Sequence, residues 1–205
     1  MNIQALLEQK DNKYDEYLLL QDHLYNKIPD NQRFDLIRQA VECGKKAAEN
    51  IKTTSLWEYC RQEGITIDFF QEEMKVENFR FVLAEFQLPN HIRINQSLLQ
   101  IAKPLLLTQD FLKNQQVSEI LLAHELYHYL ENQQQLFTVQ KQLSYRTGPF
   151  KRRARLYSLS EIAAMNFARE YFGLSFSPVI LNIFLIYPIA PEHAEYLVRQ
   201  LLVID

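Results

Sequence analysis

Three side chains in one short stretch of the sequence have the types and the spacing for metal-dependent chemistry. His124, Glu125 and His128 form the pattern H-E-x-x-H. Because residues four apart lie on the same face of an α-helix, the two imidazoles could bind one zinc ion, each at about 2.0–2.1 Å. Glu125 flanks the pair and could accept a proton from the water that attacks a substrate. The pattern therefore predicts a hydrolytic zinc site.

The stretch around the motif is predicted to be a helix. Residues 116–132 contain no glycine or proline, and their apolar side chains recur at a broadly helical spacing. Because a core helix rarely buries two histidines without partners for their nitrogens, this context favours a metal site over a structural helix with a fortuitous motif. Both histidines extend one helix face, which is formed by Val117, Leu121, His124, His128 and Glu131.

A catalytic zinc ion usually takes three protein ligands, and Glu161 is the candidate for the third. Glu161, Ala164 and Ala168 share a helix face, and the two alanines would let a neighbouring helix approach closely. Two alternatives use the same residues. Glu161 could complete a capping box with Ser158, or it could lie in the first helical turn after a cap at Ser160, where a negative charge is favoured.

The two motifs together resemble those of the ImmA/IrrE-type metallopeptidases. H-E-L-x-H is followed some thirty residues later by E-x-x-A-x-x-F-A. The resemblance extends over residues 33–175 and includes two short strand-like segments upstream of the motifs. It implies that His124, His128 and Glu161 bind one zinc ion per chain. It also implies that Glu125 is the catalytic base of a zinc metallopeptidase.

The resemblance also implies a substrate and a partner. Members of this family are cytoplasmic regulators of mobile elements or stress responses, and they act on a repressor with a helix-turn-helix domain. We therefore expect a regulatory protease that hydrolyses a peptide bond in such a DNA-binding repressor. The alternative is a metal-containing regulator that acts on its partner by contact, without turnover.

One residue departs from the family pattern inside the first motif. Tyr127 replaces the glycine that most members carry, so it could narrow the site or contribute its phenol to it. Peptide hydrolysis also needs a hydrogen-bond donor for the oxyanion. The candidates for this role and for substrate contacts are Tyr127, Tyr145, Tyr157 and His193.

The composition limits the class of protein. A hydrophobic content of 47% among 205 residues is typical of a globular chain, and only 4 glycines favour helices. The formal net charge of −3 argues against direct nucleic-acid binding. Residues 1–11 lack the features of a signal peptide, and the apolar stretch 179–187 falls far short of a ~20-residue membrane span. We therefore expect a cytoplasmic protein that does not associate with membranes.

The pattern of elements predicts an α+β fold. We expect a mostly helical, zincin-like domain with a sheet of about three strands, at residues 65–69, 79–88 and 91–94, packed on the metal-binding helices. The predicted organisation has an N-terminal helical extension (1–32), a metallopeptidase-like domain (33–175) and an apolar C-terminal segment packed on that domain (176–205).

Two surface features could bear on a substrate. Residues 151–155 include four basic side chains, which are typical of a solvated loop or helix face. They could also rim the cleft and favour acidic segments. An extended peptide could dock by strand addition at a sheet edge near the metal, and we expect the strand around Ile92 to provide that edge.

Overall fold

The computed structural model describes residues 3–51, 55–71 and 81–203. Its strands are β1 (Thr66–Phe70), β2 (Ala84–Gln87), β3 (His91–Asn95), β4 (Gln142–Thr147) and β5 (Phe150–Arg155). Its helices are α1 (Ile3–Leu7), α2 (Asp11–Leu20), α3 (Asp30–Ile51), α4 (Leu56–Gln62), α5 (Gln96–Leu107), α6 (Val117–Gln133), α7 (Phe137–Gln140), α8 (Tyr157–Phe172), α9 (Val179–Ile186) and α10 (Pro191–Val203). The predicted α+β class, mostly helical with a small sheet, is confirmed.

The three-stranded sheet has β3 at its centre, parallel to β1 and antiparallel to β2. Ile92 and Ile94 of β3 are fully buried, and the sheet packs on α6 through β2 and β3. The strand predicted at 79–88 is shorter: residues 79 and 80 lie outside the described residues, and 81–83 precede β2. Aromatic and β-branched residues favour a strand, but they do not determine where its pairing begins.

A two-stranded hairpin, β4–β5, lies between α7 and α8 and was not expected. The basic run at 151–155 belongs to β5, so the prediction of a loop or a helix face is wrong. Leu143 and Ala154 pair across the strands, and burial of Leu143 ties the hairpin to the core. Gly148 has a φ of +59° at the turn, a conformation that glycine adopts without steric cost.

The helices α3, α6 and α8 form the centre of the fold. The helix predicted around residues 116–132 agrees with α6 to within one residue at each end. α3 and α8 approach each other very closely, because Gly44 of α3 lies against the backbone of Ala163 in α8. The flanking helices join the same hydrophobic core, with Leu6 of α1, Phe184 of α9 and Leu201 of α10 among its buried members. Within the described ranges, no helix combines the length and apolarity needed to cross a membrane.

Candidate metal centre

Two helices bring the three predicted ligands together. His124 and His128 lie one turn apart on α6, and Glu161 lies in the second turn of α8. The Nε2 atoms of the histidines are 3.2 Å apart. The carboxylate oxygens of Glu161 lie 3.3 Å from Nε2 of His124 and 3.4 Å from Nε2 of His128. Side chains from two separate motifs therefore converge on one point.

The separations of these atoms fit a single metal ion. The ligand atoms all lie within 4.8 Å of one another. Ligands at about 2.0–2.1 Å around a tetrahedral ion are roughly 3.3–3.4 Å apart, close to the observed separations of 3.2, 3.3 and 3.4 Å. Two imidazole lone pairs that face each other at such a distance repel unless a proton or a cation lies between them. His124, His128 and Glu161 could therefore hold a metal ion.

The orientation of His128 is set by a buried carboxylate. Glu131, whose side chain is only 4% exposed, lies 3.1 Å from Nδ1 of His128. Its oxygens also accept hydrogen bonds from Thr138 at 2.5 Å, Ser160 at 2.7 Å and Arg155 at 3.0 Å. A proton on Nδ1 directed at this carboxylate leaves the Nε2 lone pair free for a metal. Nδ1 of His124 is buried without a hydrogen-bond partner among the described residues.

Glu131 was not predicted to have a role at the site. The available signal was its spacing: a residue three positions after a ligand lies on the same helix face. Thr138, Ser160 and Arg155 come from other elements, so only the tertiary structure assembles the complete network around Glu131.

The charges around the histidines favour a cation. Burial acts to lower the pKa of His128, but hydrogen bonds to Glu131 and Glu161 outweigh it and raise that pKa to about 10. For Glu161, burial acts to raise the pKa, and its contacts with His124 and His128 hold the pKa well below its usual value. These shifts reflect attraction between imidazolium and carboxylate. The same negative surroundings would attract a metal cation.

Glu125 lies beside the ligands in a different environment. Only 7% of its surface is exposed, and burial raises the pKa of its carboxyl although the neighbouring histidines act to lower it. The backbone of Phe86 in β2 donates a hydrogen bond to this carboxylate. A carboxyl group with a raised pKa beside a cation site is suited to accept and return a proton.

β2 presents an open sheet edge to this site in the described part of the chain. The N–H of Asn95 donates to the carbonyl of Leu83, so the alternation of the antiparallel ladder directs the backbone groups of Ala84 and Phe86 away from β3. The prediction that the strand around Ile92 forms the edge is wrong, because β3 lies between the other two strands.

Two cavities meet at the candidate centre, and His124, Glu125 and Glu161 border both. The first, of about 520 Å³, is lined mostly by apolar residues, and we call it the apolar cavity. The second, of about 470 Å³, is more polar. The apolar cavity is lined by Leu83, Ile120, Leu121, Met165, Pro178 and Leu181 among others. The polar cavity is lined by Glu85, Glu131, Asn132, Arg155, Tyr157 and Ser160 among others.

Tyr127 lies in the core. Its side chain is fully buried, and its hydroxyl lies 2.9 Å from Oγ1 of Thr138 and 3.4 Å from Sγ of Cys43. Burial raises the pKa of this phenol above its usual value. Tyr127 is not among the residues that line the two cavities. Its contacts link α6 to α3 and α7, so Tyr127 stabilises the packing of the helix that carries the two histidines.

The other predicted contact residues are placed differently. Tyr157 is 62% exposed and lines the polar cavity. Tyr145 lies on β4, and His193 lies on α10 with its ring stacked on Tyr196. Neither Tyr145 nor His193 is among the described residues that line the cavities. Tyr157 is thus the one predicted oxyanion or substrate contact that the fold brings to the metal centre.

The alternative roles of the serines before Glu161 are wrong. The N-cap of α8 is Leu156, so Ser158 and Ser160 lie inside the helix. Ser158 donates through its backbone N–H and its hydroxyl to the carboxylate of Asp22, at 3.1 and 2.9 Å. A side chain from the N-terminal extension therefore caps α8, and Glu161 faces the histidines instead of closing a capping box.

Comparisons of the chain with family models, with curated proteins and with solved structures find no match. The candidate site is therefore defined by the convergence of His124, His128 and Glu161, by the buried carboxylates beside them and by the open edge of β2.

Proposed function

We propose that this protein is a zinc-dependent peptidase. The observation that carries the proposal is the convergence of two imidazoles and a carboxylate with metal-binding separations, with the buried carboxyl of Glu125 on the same helix as the imidazoles. Two nitrogens and one oxygen are a ligand set typical of catalytic zinc, with one coordination position left open. A purely structural helix would not need this arrangement of polar groups in a largely buried position.

Glu125 would act as the general base and then as the general acid. A bound zinc ion would supply Lewis acidity, lowering the pKa of water towards ~7 and polarising the scissile carbonyl. Glu125 would take the proton from the attacking water and pass it to the leaving amine. The hydrogen bond from the Phe86 backbone would hold its carboxylate in place. The raised pKa of Glu125 assists the first transfer, since a stronger base takes the proton of the attacking water more readily.

The substrate would be an extended peptide bound along β2. The outward backbone groups of Ala84 and the carbonyl of Phe86 could pair with it as an added strand, while the Phe86 N–H remains bonded to Glu125. In an antiparallel arrangement, the peptide would run from the polar cavity towards the apolar one. The apolar cavity would then accept the side chain that follows the scissile bond, favouring Leu, Met or Phe there.

The proposed biological substrate is a repressor with a helix-turn-helix domain. This part of the proposal is supported by the resemblance of the two motifs to those of the ImmA/IrrE-type peptidases. Such a substrate would make the protein a cytoplasmic regulatory protease, with control of a mobile element as the expected setting.

The experiment compares wild type with Glu125→Gln, His128→Ala and Glu161→Gln. Metal analysis is paired with cleavage of a quenched-fluorescence peptide library, and then of a repressor encoded next to this gene. Wild type should carry about one zinc per chain. Glu125→Gln should keep the zinc and lose roughly 10²–10⁴-fold in rate. His128→Ala should lose most of the zinc, and Glu161→Gln should bind it more weakly.

Glu119→Gln is the matched control, because it changes the same side-chain type on α6 away from the histidines; it should keep both zinc and activity. Full zinc occupancy in Glu161→Gln would refute the third ligand. Cleavage by Glu125→Gln at the wild-type rate would refute the base. If Glu125→Gln relieves repression in cells as well as wild type does, the protein acts on its partner by contact and not by hydrolysis.

A further inference from the structure

The hairpin β4–β5 has an unusual charge composition. Residues 142–155 contain five basic side chains and no acidic one, whereas the whole chain has a net charge of −3. The remainder of the molecule is therefore net negative, and positive charge is concentrated in one small element. The basic residues are Arg146, Lys151, Arg152, Arg153 and Arg155.

The strand register places four of these five residues on one face. Arg146 pairs with Lys151, Ser144 with Arg153, and Gln142 with Arg155. Alternate pairs along an antiparallel ladder share a face, so these three pairs form one surface. Arg152 pairs with Tyr145 and lies on the other face. We call the surface of Arg146, Lys151, Arg153 and Arg155 the basic face.

The basic face begins at the candidate metal centre. Arg155, at the end of β5, lines the polar cavity and donates a hydrogen bond to Glu131 at 3.0 Å. From there the face extends along the hairpin to Arg146 and Lys151, next to the turn. A peptide that occupies the polar cavity could therefore continue along this surface.

Arg155 is paired with Glu131, but the other three charges on the basic face are not neutralised within the described part of the chain. Arg146, Lys151 and Arg153 are exposed, and the ion pairs among the described residues involve none of them. Arg146 and Lys151 are directly opposite each other, and like charges in that position destabilise a strand pair. A mixture of acidic and basic side chains would protect the strand edges from aggregation equally well. Folding alone therefore does not require an entirely positive face.

We propose that the basic face binds an acidic segment of the protein substrate and holds that substrate beside the metal centre. The proposal rests on the peptidase function proposed above. It identifies the substrate as one with a run of Asp and Glu on the side of the scissile bond that occupies the polar cavity. A protein segment is favoured over nucleic acid because the face continues into a peptide-sized cavity and the rest of the chain is net negative.

The test measures binding of a fluorescein-labelled octaglutamate peptide to the zinc-loaded Glu125→Gln protein by fluorescence anisotropy. The affinity for octaglutamate should fall by about tenfold or more in the triple variant Arg146→Gln, Lys151→Gln, Arg153→Gln. The control variant Lys46→Gln, Lys103→Gln, Arg199→Gln removes three positive charges from other exposed positions and should change the affinity less than about twofold. Binding should weaken as salt is raised to about 0.15 M, where the Debye length is about 8 Å.

Two further probes distinguish the kind of partner. Octalysine should not bind. A nine-nucleotide single-stranded DNA with a similar charge should bind more weakly than octaglutamate. Tighter binding of the DNA through the same three residues would overturn the assignment to an acidic protein segment. Equal octaglutamate affinity in the two triple variants would overturn the proposal that the basic face binds such a segment.

The result of the octaglutamate binding assay does not depend on whether the protein is a peptidase. If no peptide is cleaved by wild type but octaglutamate binding depends on the basic face, the peptidase proposal fails and the binding surface stands. If wild type cleaves peptides but octaglutamate does not bind, only the binding surface fails. Circular dichroism and thermal unfolding of both triple variants will show that they are folded.

Discussion

At the scale of single residues, His128 and Glu131 illustrate how a candidate metal ligand is oriented. His128 presents Nε2 to the centre because Nδ1 is held by Glu131. Glu131 is in turn bonded by Thr138, Ser160 and Arg155. Each group restricts the next, so the imidazole is oriented before any metal binds. A carboxylate that fixes a histidine tautomer in this way also raises the basicity of the ligand.

Glu131→Gln should weaken zinc binding by about 10–100-fold, because the amide lacks the negative charge that strengthens His128 as a ligand and retains only one of the two oxygens that now accept hydrogen bonds. Competition with a chromophoric chelator measures the zinc affinity, and urea unfolding of the metal-free protein measures any loss of stability separately. Glu131→Asp should recover part of the affinity. A zinc affinity equal to that of wild type in Glu131→Gln would show that Glu131 serves the core and not the metal centre.

At the scale of elements, the position of Glu161 depends on how α8 is held. Asp22 caps the start of α8 from the N-terminal extension. Gly44 of α3 lets the middle of α8 approach so closely that an added Cβ would lie 2.1 Å from the carbonyl oxygen of Ala163. On the adjacent side of α8, Ala164 is fully buried and lies one turn from Glu161. These contacts bring α8 to the distance at which Glu161 reaches the histidines of α6.

Gly44→Ala should therefore be destabilising. Alanine is favoured over glycine within a helix by about 1 kcal/mol, but the clash with the Ala163 backbone requires α3 and α8 to separate, and overpacking of this kind costs about 1–3 kcal/mol. We expect a lower free energy of unfolding in urea together with weaker zinc binding, since α8 carries Glu161. Lys46→Ala, at an exposed position of α3, is the control and should be neutral. Higher stability of Gly44→Ala would contradict the close packing of the two helices.

At the scale of the whole molecule, the candidate metal centre joins two of the central helices. The ligands come from α6 and α8, both of which are packed into the common hydrophobic core. A metal ion that binds the folded chain and not the unfolded chain stabilises the fold by mass action. Metal removal should therefore be seen as a loss of global stability.

Zinc at about 100 times its Kd should stabilise the protein by about 2.7 kcal/mol. For a chain of this size the melting temperature should rise by roughly 2–4 °C per kcal/mol, or about 5–11 °C in total. Differential scanning calorimetry with zinc, and then with excess chelator, measures the rise and its reversal. His128→Ala should show no comparable rise. An equal rise in that variant would mean that zinc stabilises the chain from a different position.

The amino-acid sequence by itself determined the candidate metal ligands and the local structure around them. The spacing of His124 and His128 predicted one helix face, and the small residues after Glu161 predicted a closely packed second helix. Both inferences hold because helix geometry relates residues only three or four positions apart. Tertiary structure decided the rest: β3 became the central strand and β2 the open edge, Tyr127 entered the core, and the basic run formed a hairpin face. These outcomes depend on pairing and burial between residues far apart in the chain, which local periodicity does not encode.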